Sequence, residues 1–373
     1  LQKNNVKPAP VILLSPLDWG LGHATRCIPI INLLLQQGAR VLVAAEGGPA
    51  TILHEAFPQL TIIPLKGYNV RYHRTIPAGF KLIFSAWRIV LAIVREHRTI
   101  KKVINDYKID AIISDNRYGL WHPKVHSIFI THQLNIISPV FPGLINPVLA
   151  ALVRFFIKKF DVCWIPDYEG PLNLSGKLSH DRPLPENAQF IGPLSRFRAM
   201  PLPDAFIQSF DLIAIVSGPE PQRGIFRKLL LDQLPLPGLS SLIVGGVPGN
   251  IQMVALADGL HEVGHLPAEA LFKLLASRPV VVCRAGYSTL MDIEVTGNPA
   301  LLIPTPGQTE QEYLARKLNE YEGYVYYPQN EFSLAKAYAG LKGQVPKQIR
   351  RYDTIIEDTY IRDLILFLAS KNS

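Results

Sequence analysis

Residues 279–318 read PVVVCRAGYSTLMDIEVTGNPALLIPTPGQTEQEYLARKL, and the fold is decided there. The opening PVVVC is apolar on both faces, as in a strand covered on both sides in a parallel sheet. The run stops at Cys283, Arg284 to Tyr287 make a tight turn, and Ser288 and Thr289 stand where side chains cap a helix N-terminus. A second apolar run, ALLIPT, and a second helix, QEYLARKL, follow. Strand, turn, helix, strand, helix is the unit of a doubly wound α/β domain. Its helix N-termini present free N–H groups and a positive dipole end, so this turn reads as a diphosphate cradle. Asp292, one turn into the helix, is placed to accept hydrogen bonds from a ribose. A well-capped helix that binds nothing satisfies the same local pattern.

Working outward, LIAIVSG, SSLIVGG, a short run near LHEVGHL and YVYYP supply further strands of this half, with RGIFRKLLLDQL and AEALFKLLAS as helices. The first half repeats the alternation with PVILLS, ARVLVAAE, LTIIPL, IDAIISD, SIFITH and DVCWIPD. Between Leu184 and Phe206 the composition turns rich in Pro, Arg and Ser without a clear period, as in a linker. The expected organisation is therefore an N-terminal Rossmann-like domain over 1–195, a C-terminal one over 196–350, and an amphipathic helix over 351–373 packing back across the junction. The first half also has its own glycine turn: VILLSPLDWGLGHATRCIPIINLLLQQGARVLVAAE, residues 11–46, breaks from strand to helix through Gly20 and Gly22 and places His23 directly after the second glycine. The dinucleotide fingerprint GxGxxG is absent, which disfavours a nicotinamide cofactor.

Composition sets the outer limits. The chain has 373 residues, 48% hydrophobic and 18% charged, enough for two cores and too apolar for a disordered segment of any size. A net charge of +8 points to an anionic partner. Cys27, Cys163 and Cys283 are far apart in apolar contexts, which argues against a disulfide framework and for a reducing compartment. The opening LQKNNVKPAP lacks the apolar core of a signal peptide, and no run of about 18 apolar residues offers a membrane span.

RAGYSTLMDIEVTGNPALLIPTPGQTEQEYLA and WGLGHATRCIPIINLLLQQGARVLVAAE together resemble the two ends of the GT-B glycosyltransferases, most closely the MurG-like family, which moves N-acetylglucosamine from a UDP-sugar to a lipid-linked acceptor. The resemblance implies a GT-B fold, two Rossmann-like doubly wound domains facing across a cleft. It places His23 as general base, with Gly20 and Gly22 admitting the ligand. Ser217 and Gly218 fall on the family's phosphate loop, although Pro219 and Pro221 remove backbone donors there and leave Glu220, Gln222 and Arg223 to compensate. Arg284, Ala285, Gly286, Ser288 and Thr289 match the diphosphate turn. Asp292 matches a ribose-binding Glu, and Gln311 and Glu312 match two glutamines that read the donor sugar. Arg196 and Leu266 correspond to positions near the base. On the acceptor side the resemblance points to His132, Gln133 and Asn135 in THQLN, with Asp115 and Asn116 beside them.

The partners so implied are a nucleotide-sugar donor and a glycan or lipid-linked acceptor, with no cofactor and a cytoplasmic location at the inner membrane face. No DxD motif supplies metal ligands, and His122, His126 and His132 are spaced for neither a helix face nor a compact zinc site. Residues 71–102 and 141–160 mix aliphatic and aromatic residues with Arg and Lys, as in segments that lie on an anionic membrane. That interleaving is unlike the aromatic platforms of nucleic-acid binders. Two other readings share the architecture. A nucleotide-sugar epimerase would need paired carboxylates converging on one sugar carbon, which this sequence does not offer; a non-catalytic binding protein would have no use for His23.

Overall fold

The computed structural model describes residues 8–68, 78–198, 200–201, 209–341 and 356–371. In the first half, β1 (Val11–Pro16), α1 (Gly22–Gln36), β2 (Arg40–Ala44), α2 (Gly47–Ala56), β3 (Thr61–Ile63), α3 (Ala78–Tyr107), β4 (Ala111–Asp115), β5 (His126–Ile130), α4 (Pro142–Ile157), β6 (Val162–Ile165), α5 (Lys177–His180) and β7 (Ala188–Phe190) follow in order. Their strands form one seven-stranded sheet, ordered β3-β2-β1-β4-β5-β6-β7. All of its pairings are parallel.

The second half contains β8 (Leu212–Ile215), α6 (Gln222–Leu231), β9 (Ser241–Val244), β10 (Met253–Ala257), β11 (Leu260–Val263), α7 (Ala268–Ala276), β12 (Val280–Cys283), α8 (Tyr287–Thr296), β13 (Ala300–Leu302), α9 (Thr309–Leu318), β14 (Tyr324–Tyr326) and α10 (Leu334–Leu341). Its sheet is ordered β10-β11-β9-β8-β12-β13-β14, parallel throughout except for the antiparallel β10–β11 pair.

Strand alternation sorts the core into layers. Ile12, Leu14, Val41 and Val43 face α1 through Cys27, Ile31 and Leu34, while Leu13, Leu42 and Ile112 face Ile100, Val103 and Ile104 of α3. In the second sheet, Leu212, Ala214 and Val282 pack on Phe226 and Leu230 of α6 and on Ala337 of α10. At about 25 cal/mol per Å² of apolar surface removed from water, these layers carry most of the stabilisation.

The chain closes with α11 (Ile356–Lys371), which returns to the first domain. Ile361, Leu364 and Leu368 are buried in the cluster that contains α1, and the Tyr360 hydroxyl donates to Phe190 O at 3.3 Å. Three elements differ from the sequence reading. The segment read as linker from Leu184 contains β7, three residues that pair, among the described residues, with β6 alone. Both β10, an edge strand paired among the described residues with β11 alone and largely exposed, and the short α10 lack a periodic signature. Pairing with a neighbour, which no local pattern encodes, defines the two strands.

Candidate active site

In an open parallel sheet a crevice forms where the chain leaves neighbouring strands in opposite directions. The first sheet has that point between β1 and β4, the second between β8 and β12. The loops after these four strands, with the helix starts they lead into, carry most of the residues singled out by the sequence; His132, Gln133 and Asn135 follow β5, Arg196 follows β7, Leu266 follows β11, Asp292 lies within α8, and Gln311 and Glu312 lie in α9.

At the β1/β4 crevice Gly20 takes φ +86°, a left-handed value that glycine adopts without strain, and Gly22 opens α1. A Cβ on Gly22 would lie 2.9 Å from Ser288 Oγ, so glycine here admits the other domain. His23, the second residue of α1, sets Nδ1 3.1 Å from Oδ2 of Asp115, the last residue of β4. Arg26, one turn further along α1, donates from Nε to Asp115 Oδ2 at 2.8 Å and from Nη2 to Oδ1. Burial alone would raise the Asp115 carboxyl, but Arg26 and His23 hold it at about 2. The following loop is fixed by Arg117, which is buried and donates to Glu96 Oε1 (2.8 Å), Ser15 Oγ (3.1 Å) and Lys66 O (2.7 Å). Asn116 sits between them at φ +55°.

The network continues into the second domain. Arg26 Nη1 lies 3.3 Å from His132 Nδ1, and His132 Nε2 lies 2.9 Å from Oε1 of Glu310 in α9. Gln133 Nε2 donates to the other carboxylate oxygen. The His132 ring stacks on Tyr287 at 3.9 Å with a 1° tilt, and the Tyr287 hydroxyl donates to Pro166 O at 3.0 Å. Burial lowers the His132 pKa against the pull of Glu310; burial would raise Glu310, yet its contact with His132 brings it below the ordinary carboxylate range. An ionised Glu310 accepting from a neutral His132 satisfies both directions.

The β8/β12 crevice uses backbone instead. Gly286 is the N-cap of α8 and supplies no side-chain cap, so the first-turn N–H groups are open. This corrects the expectation that Ser288 and Thr289 cap the helix: Ser288 Oγ donates across the domain boundary to Gly22 O at 2.8 Å. Arg284 also departs from expectation. It is buried, donating to Ile303 O (3.0 Å), Pro304 O (3.1 Å) and Gln329 Oε1 (2.7 Å), with its guanidinium 4.2 Å over the Phe226 ring. Burial lowers its pKa to about 10. The turn thus offers N–H groups and Ala285, not a cationic side chain.

Asp292 is withdrawn as well. Ser195 Oγ donates to Oδ1 at 2.7 Å and Arg196 Nε to Oδ2 at 3.1 Å, so the pair Arg196–Asp292 fastens the interdomain segment to α8. Burial pushes the Asp292 carboxyl up, against Arg196. Ser217 and Gly218 (φ +101°) lie in the loop after β8, beside the turn. Glu220 there accepts from Arg223 Nε (2.9 Å) and Gly224 N (3.1 Å), so its carboxylate occupies the N-terminus of α6. Leu266 is buried before α7.

Gln311 and Glu312 brace their own loop: Gln311 Oε1 accepts from Thr305 N at 2.8 Å and Glu312 Oε1 from Gly307 N at 2.9 Å. The acidic residue in the cleft is Glu310, one position earlier. Asn135 donates to Lys177 O at 2.9 Å on the wall of a pocket of about 450 Å³, lined also by Ile137, Asn146, Arg182 and Tyr313. His126 lies 3.6 Å from Asp161, away from His132, and among the described residues no group of three His, Cys, Asp or Glu is placed to hold a metal.

Sequence reasoning missed Arg26, Tyr287 and Glu310. Arg26 had one available signal, its position three residues after His23 on the same helix face. Nothing local marks Glu310.

Residues 269–353 match the glycosyltransferase family 28 C-terminal domain. An "uncharacterized glycosyltransferase" of Methanosarcina acetivorans is 25% identical over 337 residues, 82% of each chain. The UDP-N-acetylglucosamine--N-acetylmuramyl-(pentapeptide) pyrophosphoryl-undecaprenol N-acetylglucosamine transferase of Glaesserella parasuis is 22% identical over 308 residues, 79% of this chain and 78% of that one. The spinosyn rhamnosyltransferase SpnG, solved with thymidine diphosphate, superposes with a TM-score of 0.59 at 15% identity, over 96% of both chains. Two doubly wound domains with their crevices face to face, together with these likenesses, show a glycosyltransferase of the GT-B fold that is similar to the MurG-like enzymes.

Proposed function

We propose that the protein moves a hexose or N-acetylhexosamine from a UDP-sugar to a hydroxyl of a lipid-linked or cell-envelope glycan, inverting the anomeric carbon. The observation that carries this reading is the His23–Asp115 pair standing across the domain boundary from the uncapped N-terminus of α8. With Nδ1–H donated to Asp115, the Nε2 lone pair of His23 takes the acceptor proton. The acceptor oxygen bonds to the anomeric carbon as the bond to the diphosphate breaks on the opposite face. The departing UDP carries its charge to the N–H groups of residues 287–289. The scheme assigns no role to a metal ion, so a chelator should leave turnover unchanged. The bound thymidine diphosphate of SpnG and the UDP-sugar in the name of the Glaesserella enzyme favour a pyrimidine nucleotide donor.

The acceptor side is read from the surface. Trp87, Leu91 and Val94 of α3, and Leu144, Val148, Leu152 and Phe155 of α4, are exposed at helical spacing. Trp121 packs 4.3 Å from the His97 ring of α3, and Lys159, just past α4, brings its Nζ 5.8 Å from the Trp121 ring. Exposed Arg88, Arg95, Arg98, Lys101, Lys158 and Lys159 flank them. Apolar stripes edged with cations match an anionic lipid surface. No helix among the described residues is long and apolar enough to cross a membrane. The 450 Å³ pocket, lined by Pro142, Gly143 and Asn146 of α4 and by Asn135 and Ile137 after β5, is assigned to the acceptor.

A nucleotide series followed by thermal shift tests the donor. UDP at about 100 times its dissociation constant should add about 2.7 kcal/mol of stability, and no response to any nucleoside diphosphate would remove the donor reading. Co-sedimentation tests the surface: binding to anionic vesicles that is released by salt is expected, and equal partitioning to neutral vesicles would contradict it.

A further inference from the structure

We propose that Glu310, acting through His132 and Arg26, decides which ring nitrogen of His23 carries the proton, and so makes the base competent through a contact that exists only between the two domains. The inference rests on His23 being the base, as proposed above.

His23 Nδ1 faces two groups at once, Asp115 Oδ2 at 3.1 Å and Arg26 Nη2 at 2.9 Å. A guanidinium only donates and an ionised carboxylate only accepts. Two arrangements follow. With the proton on Nδ1, His23 donates to Asp115 and its Nε2 lone pair is free to take a proton. With the proton on Nε2, Nδ1 accepts from Arg26 and the ring cannot act as a base from its outer nitrogen. The position of the guanidinium selects between them.

Arg26 is held on one side by Asp115 and on the other by the 3.3 Å approach of Nη1 to His132 Nδ1. His132 Nδ1 accepts only if the ring carries its proton on Nε2. Glu310 Oε1, 2.9 Å from Nε2, imposes that tautomer, and the stack on Tyr287 fixes the ring plane. Removing the Glu310 carboxylate frees His132 to place N–H toward Arg26. Arg26 then loses its acceptor on that side, and the guanidinium turns to His23 Nδ1 for one, which is the idle arrangement. The ionisable groups facing His23 are Asp115 from β4, Arg26 from α1, His132 after β5 and Glu310 from α9. Glu310 is thus a positioning residue.

The test reads the tautomer directly. The full chain labelled with ¹⁵N-histidine is examined by long-range ¹H–¹⁵N correlation at a pH where the rings are neutral, with His23 assigned by its loss in His23→Gln. Wild type should show the proton on Nδ1. Glu310→Ala should move most of the population to Nε2–H, and His132→Phe, which keeps the stack but offers no acceptor, should do the same. Glu310→Gln, whose carboxamide oxygen still accepts from His132, should retain the wild-type tautomer. In UDP-sugar turnover, Glu310→Ala should lower kcat by about 10-fold with the donor KM within about 2-fold.

An unchanged His23 tautomer in both Glu310→Ala and His132→Phe overturns the proposal. A raised donor KM at constant kcat overturns it too, and makes Glu310 a donor contact. A tautomer change in a protein that turns over no UDP-sugar upholds this inference and removes the donor reading instead.

Discussion

The two crevices are built on one topological plan and equipped in opposite ways. At β1/β4, side chains reach into the cleft and are wired to one another, from Asp115 through Arg26 and His23 to His132 and Glu310. At β8/β12, Arg284 and Asp292 are turned inward onto carbonyls and the interdomain segment, leaving the turn around Gly286 to its backbone. Proton transfer needs a titratable group held in one orientation, whereas a diphosphate is met well by N–H groups that carry no net charge. Under the proposed function, the first domain does the chemistry and the second binds the nucleotide.

The largest effect expected from breaking the contrast is at His23. His23→Ala should reduce turnover by about 10²-fold to 10⁴-fold, the range for a positioned base, while calorimetry finds UDP affinity unchanged. Near wild-type turnover would make the imidazole structural.

Next come the two buried carboxylates. Asp115→Asn strands the guanidinium of Arg26 without its counter-ion, and chemical denaturation should show a loss of about 3–5 kcal/mol. Asp292→Asn should cost about 1–2 kcal/mol, since burial already pushes its pKa up and an amide still accepts from Ser195. Equal losses would mean the two domains do not differ in how they hold charge.

Arg284→Ala sharpens the comparison from the nucleotide side. Loss of its bonds to Ile303 O and Pro304 O should destabilise by about 1–3 kcal/mol, with UDP affinity within about 3-fold of wild type. A much larger loss of affinity at unchanged stability would return Arg284 to the diphosphate.

The legibility of these features in the sequence follows the range of the forces involved. The strand-turn-helix units at residues 11–46 and 279–318 rest on local period and on glycine, and both stand where the sequence puts them. Spacing also brings His23 to the end of β1 and Asp115 to the end of β4, but not the bond between them, which depends on strand order. Arg284 and Asp292 occupy the expected backbone positions, while their rotamers are set by partners 19 to 97 residues away. The resemblance points to Gln311 and Glu312 and not to Glu310, since only the docking of α9 on residues 131–137 shows which of three adjacent side chains enters the cleft.

The smallest effect is on pH dependence. Burial holds the His132 pKa below its ordinary value of 6.5, so the unfolded chain binds that proton first and stability falls as pH drops through this range. His126 and His265 are shifted the same way. His132→Phe should therefore flatten, without abolishing, the decline of the denaturation midpoint between about pH 7 and about pH 5. A slope equal to that of wild type would mean that burial leaves the His132 pKa unshifted.

The division of labour is tested most directly by the position of the diphosphate in a crystal structure of the UDP complex. The account predicts phosphate oxygens within hydrogen-bond distance of the backbone N–H groups of residues 287–289, with His23 Nε2 facing the donor across open space. A diphosphate held instead by side chains at the β1/β4 crevice, with the N-terminus of α8 free, would contradict it.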